Sequence, residues 1–226
     1  MGIMSKLSRG KKGENKVRKA LEALPGYHHV LNDITFIDAK NEMSHQIDHI
    51  LIHPNGIFVI ETKTYFGDME VMENGAWVKT VRHDSTRIHN PLHQNKSHAK
   101  VTRKALGSDF DVIPVVVFAN NNAPYVPDDN VINLKDLPLF IDSYPYVGKL
   151  GKELMDVAKA RIEAASVKLS KDEHLENIGY LKEYRKAKQQ EITIALEQGI
   201  CPWCGKKVEH QGFHYYCISC KFDFTL

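Results

Sequence analysis

The sequence lacks the features that would place the protein in a membrane or on a secretory route. None of its apolar runs approaches the roughly 18 residues of a membrane-spanning helix, and its N-terminus has no apolar signal-peptide region. It also lacks the G-x-x-x-x-G-K-[ST] pattern of a phosphate-binding loop, the HExxH pattern of a zinc hydrolase and a Ser-His-Asp arrangement. We therefore expect a cytoplasmic protein without membrane contact, outside the enzyme classes that depend on those patterns.

Cysteine is absent from the first 200 residues, and all four cysteines lie in the last 26. They form two C-x-x-C pairs with twelve residues between them, which is typical of a tetrahedral Zn²⁺ site. Two disulfides are the alternative, but no secretion signal indicates an oxidising compartment. A unit this small needs the metal to fold. Four thiolates would leave no coordination position of the zinc open to a substrate, so the predicted zinc is structural. The predicted ligands are Cys201, Cys204, Cys217 and Cys220.

The net charge of the protein is small, but its charged residues are unevenly distributed along the chain. The formal net charge is only +2. Residues 1–19 and residues 79–104 each carry seven Lys or Arg against one acidic residue, whereas residues 108–145 carry six Asp against Lys135. Two basic segments suit a polyanion such as nucleic acid. A solvated basic face is the alternative for each segment.

The most informative stretch is residues 45–63, which read HQIDHILIHPNGIFVIETK. Asn-Gly between two apolar runs predicts a β-hairpin. If the loop is Pro54-Asn55, Asp48 lies opposite Glu61; if it is Asn55-Gly56, Asp48 lies opposite Lys63. Both registers place the three charged side chains on one face of the sheet. Three histidines alternate on the opposite face and are not expected to share a metal with Asp48: His45, His49 and His53.

These charges lie where a buried strand should have none, so they need partners. Two carboxylates that lie close together repel unless a cation separates them, and such hard oxygen ligands suit Mg²⁺ or Mn²⁺. Lys63 would reach the same place, where it could stabilise negative charge on a phosphate or help to deprotonate a water molecule. A structural ion pair at the end of the sheet is the alternative.

Asp48, followed after twelve residues by Glu61-Thr62-Lys63, resembles the core of the PD-(D/E)xK nuclease superfamily. Over about residues 9–125 the chain more closely resembles the NERD (nuclease-related) domain. Four motifs in order carry this resemblance: Lys12-Gly13-Glu14, Gln46-Ile47-Asp48-His49-Ile50, Phe58-Val59-Ile60-Glu61-Thr62-Lys63 and Asn90-Pro91-Leu92-x-Gln94-Asn95.

The resemblance implies a metal-dependent nuclease with defined roles for these residues. Asp48 and Glu61 would hold Mg²⁺ or Mn²⁺ with a strand carbonyl near Thr62, and Lys63 would assist the attacking water. Two further catalytic residues are implied, each with a simpler alternative. Glu14 would be a third acidic group near the metal, or a carboxylate favoured by a helix N-terminus. Gln94 would position the water or a phosphate, or be a surface amide.

The hydrophobic pattern predicts a mixed α/β fold with helices flanking a mixed sheet. After a basic arm at residues 1–10 we expect a helix at 13–24, the central hairpin, a second hairpin within 68–81 and a basic helix at about 91–106. The apolar run at residues 112–119 predicts a buried strand parallel to a neighbour. The predicted order, α-β-β-β-β-β-α-β-β-α, fits the restriction-endonuclease-like fold.

Composition divides the chain into three predicted parts. Residues 1–146 would be the nuclease-like domain. Residues 147–198 are charged and lack proline, so we expect two helices, the second being a spacer or an oligomerisation helix. Residues 199–226 would be a zinc ribbon, which resembles those at the ends of topoisomerase chains.

The leading hypothesis is therefore a Mg²⁺- or Mn²⁺-dependent nuclease that cleaves DNA in processing or repair, with the zinc ribbon binding nucleic acid or a partner protein. A DNA-binding module with little or no catalysis is the second hypothesis. A scaffold that recruits other proteins through its helical segment and zinc ribbon is the third. A homo-oligomer is also possible.

Overall fold

The computed structural model describes residues 3–38, 43–73, 75–107, 110–126, 130–144, 150–169, 171–212, 214–219 and 222–225. Its contacts divide the chain into two compact units, Met1–Lys168 and Leu169–Leu226. The predicted domain boundaries at 146/147 and 198/199 do not coincide with this division, because the first helix of the charged segment packs on the sheet of the first unit.

The first unit contains four α-helices and eight strands among the described residues. In chain order they are α1 (Ile3–Glu22), β1 (His29–Asp38), β2 (Met43–His53), β3 (Gly56–Lys63), β4 (Asp68–Val71), β5 (Trp77–Val81), β6 (Asp84–Ile88), α2 (Pro91–Leu106), β7 (Val112–Phe118), β8 (Val131–Asn133), α3 (Leu137–Ser143) and α4 (Lys152–Ala165). A 3-10 turn at Leu134–Asp136 precedes α3. None of the helices in the described part of the chain has the length and apolarity to cross a membrane.

A five-stranded mixed sheet forms the centre of this unit, in the order β1-β2-β3-β7-β8. The first three strands are antiparallel, whereas β7 pairs in parallel with both β3 and β8. The mixed α/β prediction is confirmed, and so is the buried parallel strand. A strand covered on both faces reads as a continuous apolar run rather than an alternation, which is why β7 was recognisable.

A second, antiparallel sheet has the order β4-β5-β6. The hairpin of β4 and β5 matches the prediction, but β6 was missed. Its sequence, Asp-Ser-Thr-Arg-Ile, is polar and almost wholly exposed, so it has no hydrophobic alternation to read. This sheet packs on the central sheet and on α2 through Trp77, which contacts Leu92, Val116 and Phe118. Trp77 is therefore a packing residue, and it is almost fully buried.

Helices cover both faces of the central sheet. On one face, α1 and α3 pack through Leu21 and Leu137 against Leu51, Phe58 and other strand residues. On the other face, α2 and α4 pack against the opposite side chains of the same strands. Asn90 caps α2, because its Oδ1 accepts a hydrogen bond from Leu92 N at 2.9 Å, as expected for Asn before Pro at a helix start.

Helix α1 begins at Ile3, so the prediction of a basic arm followed by a helix from residue 13 is wrong. Lys and Arg are good helix formers, and the two glycines cost only about 1 kcal/mol each. Gly13 has a tertiary reason: a Cβ atom there would lie 1.9 Å from Thr64 Cγ2 and 3.3 Å from Ala119 Cβ. The helix therefore approaches the ends of β3 and β7 at a point where only glycine fits.

We expect Gly13→Ala to destabilise the first unit despite its better helix propensity. Overpacking costs about 1–3 kcal/mol, which exceeds the roughly 1 kcal/mol gained from replacing glycine. Urea unfolding would measure the change. Gly10→Ala is the matched control, because its Cβ would meet only Glu14 Oε1 at 3.5 Å, and it should stabilise the helix. If both variants gained stability, the close approach at Gly13 would be disproved.

The second unit consists of α5 (Lys171–Glu197) and a small antiparallel sheet of β9 (Glu209–Gln211), β10 (His214–Cys217) and β11 (Phe222–Thr225) in the order β11-β10-β9. Its core is small and includes two cysteines: Leu196, Cys201, Val208, Cys217 and Phe224. Leu196 lies in the last turn of α5, so the end of this helix packs on the cysteine-bearing turns. A core of this size needs a further cross-link or metal to be stable.

Candidate active site

The hairpin at the centre of the fold adopts the first of the two predicted registers. His53 pairs with Gly56 across Pro54-Asn55, and the ladder continues to the pair His49 and Ile60. Asp48 and Glu61 are the next residues along each strand. There the Thr62 N–H donates to Asp48 Oδ2 at 2.7 Å. The Asp48 side chain thus takes the place of a backbone acceptor where the strands separate.

Strands β1 and β2 are both distorted at the same level. Asp33 has a left-handed backbone, with φ of 52°, which costs free energy for a residue other than glycine. Leu31 and Ile34 pack against the same core cluster, as do Ile47 and Ile50. Residues three apart on a regular strand would point to opposite faces. The alternation of faces is therefore inverted across this distortion.

The inversion separates histidines that simple alternation places together. His49 lines a pocket with Asp48 and Glu14 on the α1 side of the sheet. His45 instead contacts His98 of α2, with the ring centroids 5.9 Å apart. The prediction that His45, His49 and His53 all lie on the face opposite Asp48 is wrong, because the strand does not keep a period of two through this region.

Glu61, Lys63 and Gln94 lie together on the α2 side. Glu61 is only 4% exposed, and its Oε1 accepts a hydrogen bond from Lys63 Nζ at 2.5 Å. Lys63 Nζ also donates to Gln94 Oε1 at 3.2 Å. The other Glu61 oxygen, Oε2, lies 3.4 Å from His98 Nδ1 and has no hydrogen-bond partner among the described residues. An unpartnered buried carboxylate oxygen is a position that a cation would satisfy.

The charges of this pair stabilise each other. Burial alone would raise the pKa of Glu61, but His98 and the Lys63 ammonium outweigh it and hold the pKa below its usual value. Burial alone would lower the pKa of Lys63, but the Glu61 carboxylate outweighs it and raises that pKa. The pair is therefore an ionised carboxylate and a protonated amine.

Asp48 and Glu14 are carboxyl groups whose pKa values are raised, in contrast to that of Glu61. Burial, followed by the charge of Glu61, raises the pKa of Asp48 to about 8, although the Thr62 N–H acts in the other direction. Burial, followed by the charge of Asp33, also raises the pKa of Glu14. Crowded carboxyl groups with raised pKa values are a mark of functional sites. A bound divalent cation would relieve this repulsion.

Glu14 reaches this place from the middle of α1. Because the helix begins at Ile3, no acidic residue lies in its first turn. A favourable interaction with the helix N-terminus therefore does not explain the position of Glu14. The pocket beside it has a volume of about 280 Å³. Its lining comes from α1, β1 and β2: Glu14, Asn15, Arg18, Asn32, Asp33, Asp48 and His49.

His49 is a buried, neutral member of this pocket. It is 2% exposed, and burial, followed by the charge of Arg18, lowers its pKa to about 4. Its Nδ1 lies 2.7 Å from Asn32 Oδ1, so a proton on Nδ1 would be donated to that amide oxygen. This bond ties β2 to β1 beside the distortion and holds the residue next to Asp48 in place.

The carboxylates of Glu14, Asp48 and Glu61 do not form a compact group of three metal ligands in this structure. Among the described residues, a group of three ligand side chains with all ligand atoms within 4.8 Å is found only at the cysteines. A divalent ion between Asp48 and Glu61 would therefore need further oxygen ligands, such as the Thr62 carbonyl and water. Mg²⁺ commonly keeps several waters and takes only one or two protein carboxylates, so the donor set fits that ion.

The cysteine group lies in the second unit. The sulfur atoms of Cys201, Cys204 and Cys217 lie within 4.8 Å of one another, and those of Cys204 and Cys217 are 3.6 Å apart. The distance of 3.6 Å is far longer than a disulfide bond. This arrangement is consistent with a small zinc site. The predicted fourth ligand, Cys220, lies outside the described residues.

Backbone amides favour the thiolate form that a metal requires. Burial raises the pKa of Cys201, but the N–H groups of Trp203 and Cys204 outweigh it and lower the pKa to about 7. Gly205 adopts φ of 70° and donates its N–H to Cys201 O at 2.9 Å. Glycine is the residue that tolerates this left-handed turn.

Two residues of α2 support the site and were not predicted. Asn95 is fully buried, and its Nδ2 donates to Val59 O at 3.0 Å and Val115 O at 2.8 Å, which fixes the helix to β3 and β7. His98 lies one helical turn after Gln94 and faces Glu61. The spacing of four residues between Gln94 and His98 was the available signal, since such residues share a helix face.

The fold and these side chains define a mixed α/β domain with a buried carboxylate–lysine site. Residues 9–119 match the NERD family, described as the nuclease-related domain. This stretch of the chain contains every predicted catalytic residue. The match supports a nuclease-related function.

One relative extends beyond the NERD match. An uncharacterized protein of Bacillus anthracis is 28% identical over 180 residues, which cover 76% of this chain and 84% of that protein. No solved structure matches the chain.

Proposed function

We propose that this protein is a nuclease that uses Mg²⁺ or Mn²⁺ to hydrolyse phosphodiester bonds in DNA. The observation that carries the proposal is the arrangement of Glu61, Lys63 and Gln94 next to Asp48, inside a NERD domain. A buried ionised carboxylate, a partly buried lysine and a buried carboxylate oxygen without a hydrogen bond are costly in free energy. Chemistry on a phosphate group would explain all three.

Asp48 and Glu61 would hold the divalent ion, with the Thr62 carbonyl as a further ligand. Such an ion, when bound, supplies a Lewis acid for the phosphate and lowers the pKa of a bound water. Asp48 would have to lose its proton to act as a ligand, and Glu61 is already ionised. Glu14 would add negative charge on the α1 side of the same site.

Lys63 would act as a cation rather than as a base. Its raised pKa keeps the amine protonated, so it can donate to a phosphate oxygen as negative charge develops there. Gln94 Oε1 accepts one of its three N–H bonds and directs the ammonium. Of the two roles that the sequence left open, charge stabilisation is the one that this geometry favours.

The cysteine group would bind structural Zn²⁺, with Cys220 as the fourth ligand. The second unit would then contribute to binding of DNA or a partner. A DNA-binding module without catalysis is the second candidate function, and the observation that favours it is the absence of a compact three-carboxylate group among the described residues.

The test compares wild type with Lys63→Ala and Lys63→Arg on supercoiled plasmid and single-stranded DNA, with Mg²⁺ or Mn²⁺. We expect Lys63→Ala to lose at least about 100-fold in rate, the usual cost of removing one donor to developing charge. Lys63→Arg should retain part of the activity because it keeps the positive charge.

Lys135→Ala is the control, because Lys135 is an exposed lysine of the same unit that lies outside the two basic segments, and it should cleave like wild type. Equal cleavage by Lys63→Ala and wild type would place the activity elsewhere. DNA binding without cleavage by any of the proteins would favour the binding module.

A further inference from the structure

A second pocket lies between the β4-β5-β6 sheet and the start of α2. Its volume is about 450 Å³. Three of its lining residues carry nitrogen-bearing side chains that can donate hydrogen bonds to an anion: Arg87 near the end of β6, His89 in the connection, and His93 in the first turns of α2. None of the lining residues is acidic. Arg87, His89 and His93 are all exposed, so a ligand can reach them.

The segment of the chain that supplies these three residues is poor in acidic residues. Residues 79–104 contain a single acidic residue, Asp84. Asp84 begins β6 and pairs with Val81, at the opposite end of the strand from Arg87. The guanidinium of Arg87 has no ion-pair partner within the described part of the chain. Glu70 of β4 lies in the same cross-strand row, two strands away, because it and Arg87 both pair with Val78. An exposed guanidinium without an ion-pair partner attracts anions.

The apolar part of the pocket is closed to a stacking base. Trp77 lines it but is only 2% exposed, and its ring lies parallel to that of Phe118, with centroids 6.3 Å apart. Stacking on a base needs an accessible aromatic face. The groups that remain available are hydrogen-bond donors and positive charges, which suit a phosphate group rather than a base.

The pocket and the proposed active site use adjacent residues of α2. His93 immediately precedes Gln94, which accepts a hydrogen bond from Lys63 Nζ. Neighbouring residues of a helix differ by 1.5 Å along its axis and about 100° around it. A polyanion that follows α2 from the pocket would therefore reach Lys63 within about one turn of the helix.

We propose that Arg87, His89 and His93 form a binding subsite for a backbone phosphate of the nucleic-acid substrate, next to the phosphate that is cleaved. This inference rests on the proposed nuclease function and adds the part of the molecule that positions the strand. It also gives the β4-β5-β6 sheet a role, because β6 and the connection to α2 supply Arg87 and His89. The subsite reads the backbone and not the base sequence.

The test measures binding of full-length protein to a labelled DNA duplex by fluorescence anisotropy at several salt concentrations, without added Mg²⁺ or Mn²⁺. The double variant Arg87→Gln/His93→Gln is compared with wild type. Each phosphate contact contributes about 0.9 to the slope of log Kobs against log salt. We expect the slope to become shallower by about 1 to 2, and by the same amount for duplexes of different sequence.

Lys135→Gln is the control, because Lys135 is an exposed cation of the same unit that does not line the pocket, and it should leave the slope unchanged. Circular dichroism would verify that each variant is folded. An unchanged slope in the double variant would overturn the subsite, even if wild type cleaves DNA in a Lys63-dependent way. A loss that depends on base sequence would also overturn it. Failure of wild type to bind or cleave DNA would overturn the proposed function together with the subsite.

Discussion

Asp48→Asn is expected to abolish DNA cleavage and, at the same time, to stabilise the folded protein at pH 8. Asparagine has nearly the same shape but cannot ionise, so it removes a metal ligand without leaving a cavity. Cleavage should fall by more than about 100-fold, since even losses around the ligands of a metal site cost about 10- to 100-fold. The gain in stability follows from the raised pKa of the carboxyl group.

The sign of this effect comes from proton linkage. The pKa of Asp48 is 3.8 in its ordinary state and about 8 in the fold, so the folded state binds the proton more tightly than the unfolded state. The contribution of this carboxyl group to stability is therefore greatest near and below pH 4 and falls as the pH rises towards 8. At pH 8 asparagine should gain about 2 kcal/mol or more, which corresponds to about 4–8 °C in Tm for a protein of this size.

Thermal unfolding at pH 5 and pH 8, without divalent ions, would measure this difference. Asp111→Asn, at an exposed aspartate, should show no gain. Added Mn²⁺ should raise the Tm of wild type at pH 8 by mass action and leave Asp48→Asn unchanged. Equal Tm values for wild type and Asp48→Asn at both pH values would mean that the pKa of the Asp48 carboxyl group is not raised in the folded protein. An active Asp48→Asn would remove it from the proposed metal site.

Cys217→Ala is expected to unfold the cysteine-bearing part of the second unit while the central sheet of the first unit stays folded. Cys217 is fully buried in the small core around Val208 and Phe224. Its loss would remove one thiolate from the metal and leave a cavity in that core. Because metal binding supplies most of the folding free energy of such units, the expected effect is loss of structure rather than a small decrease in stability.

Hydrogen exchange followed by mass spectrometry would locate the change. Peptides from residues 200–219 should lose protection, whereas those from β1, β2 and β3 should keep it. Metal analysis should find about one zinc per wild-type chain and a large decrease in the variant. Ser219→Ala is the matched control, since Ser219 is exposed. Retained zinc and unchanged protection in Cys217→Ala would show that Cys217 is not a metal ligand.

Several features of this protein could be read from short stretches of sequence. Asn-Gly between apolar runs predicted the central hairpin, and the loop at Pro54-Asn55 was one of the two registers considered. The run at residues 112–119 predicted a buried parallel strand, and Asn90-Pro91 predicted the start of α2. Each of these signals is local, because turn chemistry, helix capping and hydrophobic runs act over a few neighbouring residues.

Other features depended on contacts between distant residues. The left-handed backbone at Asp33 inverts the faces of β1 and β2, which places His49 beside Asp48 and His45 beside His98. The alternation of side chains between the two faces of a strand does not continue through such a distortion. The support of Glu61 by His98 required α2 to pack across β3. The polar strand β6 has no pattern of its own and is positioned by pairing with β5.

The sequence by itself thus determined the mixed α/β class, the NERD motifs, the central hairpin and the paired C-x-x-C turns. These depend on residue identity and spacing along the chain. Only the tertiary structure decided which charged groups share an environment: Glu61 with Lys63 and Gln94, and Asp48 with Glu14. The physical reason is that burial and charge interactions depend on distances in space, and the packing of α1 and α2 on opposite faces of one sheet sets those distances.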